Sequence, residues 1–236
     1  MQTLQEIIDR SDHIVFFGGA GVSTESGIPD FRSCDGLYHQ NYKYPPEIIL
    51  SHGFFLNETE EFFRFYRDKM IYTDAKPNAA HLALAHLEKA GKLKAVITQN
   101  IDGLHQAAGS KRVLELHGSI HRNYCMNCGH FYGLDTILHT EGIPRCSCGG
   151  IIKPDVVLYD EPLDRYTMEM AEAFCQSTDV LIVGGTSLSV YPAAGFVDHY
   201  MKDQLVLINK AATKADQRAA LVLRENIGEV FSQLQL

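Results

Sequence analysis

Six short runs of aliphatic and β-branched residues punctuate this chain: His13–Gly18, Lys94–Gln99, Arg112–Leu116, Asp155–Tyr159, Asp179–Gly184 and Gln204–Asn209. Each is nearly continuous, where a half-exposed strand would alternate polar with apolar. A strand reads that way when both its faces are buried, as in a parallel sheet covered by helices. Between several of the runs lie stretches with apolar residues at helical spacing. Asn78–Ala90 is the clearest, with Gly91 as its stop; Leu163–Gln176 and Ala193–Met201 are others, and Leu4, Ile7 and Ile8 give the first ten residues the same spacing. Alternation of this kind predicts a doubly wound, Rossmann-like α/β fold with a parallel sheet. A length of 236 residues, 45% of them hydrophobic, suits one domain carrying a small inserted module.

Two stretches interrupt the alternation. Phe31–Lys76 contains no convincing strand, although Glu60–Met70 looks helical, and Ile120–Lys153 holds four of the six cysteines. We expect a single domain over 1–236. Its larger part comprises 1–30, 77–119 and 154–236; its smaller part joins a helical insertion (31–76) to a metal-stapled module (120–153).

The cysteines fall as Cys125-x2-Cys128 and Cys146-x-Cys148, with 17 residues between the pairs. Four thiolates from two knuckles make a closed tetrahedral zinc site, structural because no position is left for water. The second pair is one residue tighter than usual, and four reduced thiols without metal are the other reading. His105, His121 and His130 are not needed as ligands. Such clustering favours metal over disulfides in a reducing compartment. The N-terminus lacks the basic start and apolar core of an export signal, and no apolar run approaches the roughly 20 residues of a membrane span. The expected location is therefore the cytoplasm, without a membrane partner. The formal charge of −8, with no basic cluster, argues against nucleic acid as a partner.

The first run leads into Gly18-Gly19-Ala20-Gly21-Val22-Ser23-Thr24-Glu25-Ser26-Gly27. Glycines after a first strand let the backbone approach a pyrophosphate, and a following helix N-terminus would offer free N–H groups. Ser23, Thr24 and Ser26 could add hydroxyl donors. A tight turn with no ligand explains the loop about as well. A nicotinamide dehydrogenase would also need a second strand ending in Asp or Glu about 20 residues on. Phe31–Leu50 is aromatic and polar instead, so hydride transfer loses ground.

Asn100 and Asp102 follow another strand, on the side where open α/β sheets place their ligand crevice. On the residues alone, turn formation explains each of them better. His117 also ends a strand, before Gly118, and an imidazole suits proton abstraction near neutral pH. It is one of 11 histidines, so position and context must single it out.

The context is an ordered series: Gly27-Ile28-Pro29-Asp30-Phe31-Arg32, Thr98-Gln99-Asn100-Ile101-Asp102-Gly103-Leu104-His105, Glu115-Leu116-His117-Gly118-Ser119, Lys153-Pro154-Asp155-Val156-Val157, Gly185-Thr186-Ser187-Leu188 and Val190-Tyr191-Pro192-Ala193-Ala194. In that order, across nearly the whole chain, it resembles the sirtuins, NAD-dependent protein deacylases. The compact cysteine module resembles the bacterial branch called class U.

The resemblance implies that NAD is consumed as a co-substrate and that the acetyl group of a protein lysine passes to ADP-ribose. Nicotinamide and O-acetyl-ADP-ribose are released. It implies His117 as general base, with Asn100 and Asp102 at the reacting ribose. Ala20, Gly21, Thr24, Asp30, Phe31, Arg32, Gln99 and Ile101 would line the cofactor site. In it Phe31 would screen the reactive sugar and Arg32 would fork onto phosphate. Gly185, Thr186, Ser187 and Asn209, with Ile227 near the base, would hold the adenosine end. Val156, Val157, Leu158 and Tyr159 would pair with the substrate peptide as a strand. Many relatives read Phe-Gly-Glu where this chain has Tyr159-Asp160-Glu161, and the missing glycine bears on the shape of that groove. Acid-preferring relatives carry a Tyr-x-x-Arg pair beside the acyl pocket. Here those places fall on Phe63 and Tyr66, and Thr24 stands where such relatives have alanine, so acetyl is the expected acyl group. An NAD glycohydrolase or mono-ADP-ribosyltransferase on the same fold is the alternative activity. A non-catalytic NAD sensor leaves His117, Asn100 and Asp102 unexplained together.

Overall fold

The structure, a computed structural model, describes residues 3–31, 36 and 42–236. Its main sheet is parallel, with β1 (Ile14–Gly18), β2 (Leu93–Thr98), β3 (Val113–Glu115), β7 (Val180–Gly184), β8 (Leu205–Ile208) and β9 (Leu221–Leu223) in the order β3-β2-β1-β7-β8-β9. The order grows outward from β1 in one direction and from β7 in the other. The seam between them is the topological switch point, where an open sheet of this type has its ligand crevice beyond the carboxyl ends.

Sequence dictates why these strands sit in the middle. Every residue of β1, β7 and β8 is buried. One apolar cluster includes Ile14, Phe16, Val96, Ile182 and Val206; the other, on the opposite face, takes their neighbours Val15, Phe17, Ile97, Leu181 and Leu205. The helix Ala79–Lys89 covers the first face. Asn78 caps it by accepting from the Ala80 and His81 amides, and Gly91, at φ +77°, ends it. A left-handed stop after a helix is where glycine has no rival.

Five of the six strand expectations fit the parallel sheet; Asp155–Tyr159 does not. The strand there is β6 (Ile152–Val156), in a separate antiparallel sheet with β4 (Gly118–Cys125) and β5 (Phe131–Tyr132), in the order β5-β4-β6. Its residues alternate between buried and half-buried, the pattern of a strand covered on one face. Pro154 lies opposite an irregularity in β4 between Ser119 and Asn123, which suits a residue with no N–H to give. Beyond Val156 the chain leaves the sheet: the Val157 amide donates to the His117 carbonyl and the Tyr159 amide to the Leu50 carbonyl. Two further corrections concern helices. Single turns of 3-10 helix, Ala20–Val22 and Thr24–Ser26, follow the glycine loop in place of a long helix. Ala193–His199 is likewise 3-10 and not α.

A third apolar cluster joins the insertion to the cysteine module. It packs Ile49, Phe55, Phe62, Phe63 and Tyr66 against Ile120, Ile137, Cys146, Ile152 and Leu158. Among the described residues, no helix is long and apolar enough to cross a membrane.

His81 and His105 are buried against each other, ring centroids 4.7 Å apart and planes tilted by 58°. Burial pushes both imidazoles well below the ordinary histidine range; the Asp102 charge opposes this at His81, and His81 reinforces it at His105. The folded protein therefore keeps both neutral, while the unfolded chain protonates them below its ordinary pKa of about 6.5. Stability is full above that pH and is lost as pH falls. We expect a loss of about 2 kcal/mol between pH 7 and 5.5 from this pair, read from urea midpoints at the two values. Equal midpoints would show that neither ring stays neutral on folding.

Candidate active site

Five groups of residues singled out by the sequence lie at the carboxyl edge of the main sheet, each group in the loop that ends a strand. The glycine loop follows β1, Gln99–Asp102 follow β2, His117 follows β3, Gly185–Ser187 follow β7 and Asn209 follows β8. Two loops meet backbone to backbone at the seam. The Gly21 amide donates to the Gly185 carbonyl at 2.8 Å, and a Cβ on Gly21 would stand 2.8 Å from the Gly185 Cα. Gly185, at φ +61°, would put a Cβ 2.4 Å from the Val22 nitrogen. Packing thus requires both glycines, and at Gly185 the left-handed conformation requires one as well.

Ser23 is the pivot of the polar network. Its hydroxyl donates to Asp102 Oδ2 at 2.7 Å and accepts from Asn100 Nδ2 at 3.1 Å. The other Asp102 oxygen accepts from the Leu104 amide at 2.9 Å. The Asn100 amide donates to Thr98 Oγ1, and Asn78 Nδ2 ties down the glycine loop through the Val22 carbonyl and the Ser26 hydroxyl. The serines are therefore scaffolding: Ser23 gives its proton to Asp102, not to a ligand. Nothing in the sequence marks Ser23 or Asn78 for these roles, because each acts on a residue remote in the chain.

His117 Nδ1 lies 2.9 Å from the Gln99 carbonyl oxygen. A carbonyl only accepts, so Nδ1 carries the hydrogen and Nε2 is left as the basic nitrogen. Nε2 has no hydrogen-bond partner among the described residues. Burial lowers the His117 pKa, and the bond to Gln99 partly opposes this. The imidazole is consequently neutral at pH 7 and able to take a proton.

The residues expected at the adenosine end form a second, interlocked set. Gln99 Nε2 donates to Thr186 Oγ1 at 3.0 Å, the Thr186 amide to Asn209 Oδ1 at 2.9 Å, and Asn209 Nδ2 back to the Thr186 carbonyl at 2.9 Å. Ser187 and Ser189 hydroxyls are 2.6 Å apart. Thr24, exposed, bonds the Gly21 carbonyl, while Phe31 and Ile101 pack against the smaller part's apolar cluster. Ile227 is only 4% exposed and belongs to the core beneath Gly184. Arg32 lies outside the described residues. Of the residues expected to pair with a peptide, Val156 and Leu158 are buried, Val157 is half-buried and Tyr159 exposed.

The four cysteines come together as their spacing requires. Sγ separations are 3.4 Å for Cys125–Cys148 and 3.6 Å for both Cys128–Cys146 and Cys128–Cys148. All four sulfurs lie within 4.8 Å of one another. Zinc–sulfur bonds of about 2.3 Å give a tetrahedron with edges of about 3.8 Å, so the set fits zinc. Each knuckle closes on a left-handed glycine, Gly129 at φ +70° and Gly149 at φ +84°. Their amides donate to the Cys125 and Cys146 carbonyls, so the one-residue spacing of the second pair does not spoil its turn.

An open α/β domain with its polar residues gathered over the switch point, beside a four-thiolate module, defines a class of nucleotide-using enzymes. Residues 19–192 match the Sir2 family model. A protein of Clostridium acetobutylicum named NAD-dependent protein deacetylase is 60% identical over 232 residues, covering 97% of this chain and 95% of its own. One of the same name from Clostridium tetani is 59% identical over 234 residues, covering 98% and 95%. Among solved structures, Sir2 with a deacetylated p53 peptide and 3′-O-acetyl ADP ribose superposes with a TM-score of 0.90 at 37% identity, covering 98% of this chain and 96% of that one. Sir2 with a p53 peptide and NAD+ gives 0.86 at 37% identity, covering 99% and 97%. This chain belongs to the Sir2 family.

Proposed function

We propose that this chain is an NAD-dependent protein-lysine deacetylase that transfers the acetyl group from lysine to ADP-ribose, releasing nicotinamide and O-acetyl-ADP-ribose. The observation that carries the reading is the neutral His117, its Nε2 unpartnered beside the Ser23–Asn100–Asp102 network at the switch point. The acetyl-lysine amide oxygen would bond to the NAD ribose carbon as nicotinamide leaves, a ribose hydroxyl would then attack the imidate carbon so formed, and water would complete release of the free lysine and of O-acetyl-ADP-ribose. His117 Nε2 takes the proton from that hydroxyl. Asn100 and Asp102, held by Ser23, fix the ribose, and Ala20, Gly21, Thr24, Asp30, Gln99 and Ile101 line the crevice. Phe31 screens the sugar from water and Arg32 grips phosphate. Gly185, Thr186, Ser187 and Asn209 take the adenosine end. The core position of Ile227 limits it to shaping that end from below. Val156–Tyr159 receive the peptide by main-chain pairing, a mode with little sequence selectivity of its own. Zinc on Cys125, Cys128, Cys146 and Cys148 holds the smaller part (31–76 and 120–153) in shape against the larger. A four-thiolate site needs a reducing compartment, which supports the cytoplasm.

Mass analysis of one turnover with an acetylated peptide and NAD tests the reading. Expected products are the free-lysine peptide, nicotinamide and O-acetyl-ADP-ribose. Nicotinamide release at the same rate without acetylated peptide would favour the glycohydrolase or ADP-ribosyltransferase activity instead.

The helix Thr59–Lys69 bears on acyl choice. Phe63 and Tyr66 are fully buried. The Arg64 side chain is 69% exposed and paired with Glu61, while Arg67 donates to the Ile137 and Gly142 carbonyls. Neither guanidinium is spare for an acyl carboxylate beside Phe63 and Tyr66, and an unpaired buried carboxylate costs several kcal/mol. We expect kcat/KM on an acetyl-lysine peptide to exceed that on its succinyl form by about 100-fold, each 1.4 kcal/mol being a factor of ten. Comparable values would mean that another cation serves the pocket.

A further inference from the structure

We propose that Asp160 sets a charge preference in the peptide groove, favouring acetyl-lysine sites with arginine or lysine close by over sites with acidic neighbours. The inference rests on the deacetylase reading and on Val156–Tyr159 as the peptide-pairing segment. That segment ends in a turn, in which the Glu161 amide donates to the Leu158 carbonyl at 3.0 Å and Asp160 occupies the third position at φ +71°. A left-handed third position in a four-residue turn is one that glycine fills without strain. Aspartate adopts it at a cost, so the turn's shape alone does not call for a side chain there.

The carboxylates around Asp160 are already answered. Glu161 accepts from the Leu158 amide at 2.8 Å, from Lys153 Nζ at 3.0 Å and meets His52 Nδ1 at 2.7 Å. Asp155 pairs with Arg122 at 2.7 Å. Asp160 is exposed, and nothing among the described residues pairs with its carboxylate. It stands directly after Tyr159, itself 37% exposed. One uncompensated negative charge therefore sits at the end of the stretch offered to the peptide. Leu188 is the other non-glycine residue with positive φ among those described, at +52°, in the loop after β7. Residues held in such conformations cluster at binding and active sites. Main-chain pairing reads no side chains, so a fixed charge at the groove's end is what would separate one peptide from another.

Three peptides identical except for two residues on each side of the acetyl-lysine, carrying arginine, glutamine or glutamate there, test this at low salt. For an exposed charge we expect kcat/KM to favour the arginine over the glutamate peptide about fivefold. The ratio should shrink toward one in 0.5 M salt, where screening acts over a few ångströms. In Asp160→Asn, which keeps the shape and tolerates the left-handed conformation, the ratio should approach one. Asp160→Gly should behave alike, and as the residue the turn favours it carries the test should the asparagine variant melt early. A ratio near one in the wild type, or one unchanged in both variants, overturns the role of Asp160 while leaving the deacetylase reading intact. Failure of the wild type to deacetylate any of the three peptides would instead overturn both.

Discussion

Replacing His117 with alanine is expected to lower kcat for deacetylation by about 10² to 10⁴, the usual contribution of a positioned general base, while leaving NAD binding within a few-fold of normal. The imidazole makes one hydrogen bond, from Nδ1 to the Gln99 carbonyl, and that bond serves to present Nε2. Gln99 is fixed independently, through its amide on the Gly18 carbonyl and its side chain on Thr186. Loss of the ring should therefore not dismantle the crevice. A pH profile gives a second readout. Because burial lowers the His117 pKa, the neutral base persists below pH 6.5, and the acid limb of kcat/KM should lie beneath that value. A correctly folded alanine variant with near-normal turnover would remove His117 from the mechanism. A profile falling already above pH 7 would mean that a different group titrates.

The parts of the fold legible in the sequence were those with a clear apolar run or helical spacing. β1, β7 and β8 are unbroken apolar runs, and β2 holds only the half-buried Lys94 within its run, because helices cover both faces of their sheet. The Asn78–Gly91 helix carries its cap and its stop in the sequence. β9 spans only Leu221–Leu223, too short for any periodicity to register. Asp155–Tyr159 misled because two valines and a leucine read as a doubly covered strand. In fact the sheet ends at Val156, and the chain then turns to bond Leu50 and His117. The apolar character of Leu158 comes from packing into the third cluster, not from a central strand.

That the candidate residues would gather at strand ends was legible in the sequence; the hydrogen bonds that join them were not. His117, Asn100 and Asp102 stand at strand ends in an ordered motif, and the strands bring those ends together. That Ser23 would bridge Asn100 to Asp102 across 79 positions has no local signature. Nor could periodicity indicate that His81 and His105, one on a covering helix and one after β2, would be buried ring to ring. Ile227, expected near the base from the resemblance, lies 4% exposed under Gly184, where its methyl groups fill the core.

Removal of one thiolate from the cysteine module should have the second large effect. In Cys148→Ser, we expect the protein to lose its single zinc and its deacetylase activity together. Cys148 is exposed, so the substitution leaves no cavity and its consequence reports on metal alone. The knuckles carry little apolar mass of their own, and structural zinc supplies folding energy directly to small modules of this kind. Cys125 and Cys146 are buried in the cluster that also holds Ile120, Ile152, Val156 and Leu158. Melting of the module would therefore reach the segment proposed to receive the peptide, although no cysteine lies among the strand-end residues of the crevice. Metal analysis should give one zinc per chain in the wild type and none in the variant. Because the closed four-thiolate set leaves no position for water, wild-type protein refolded with cobalt in place of zinc should keep turnover within about twofold, its metal only shaping the fold. Active wild-type protein without bound metal would refute the site. A cobalt form that is folded but inactive would refute its purely structural role.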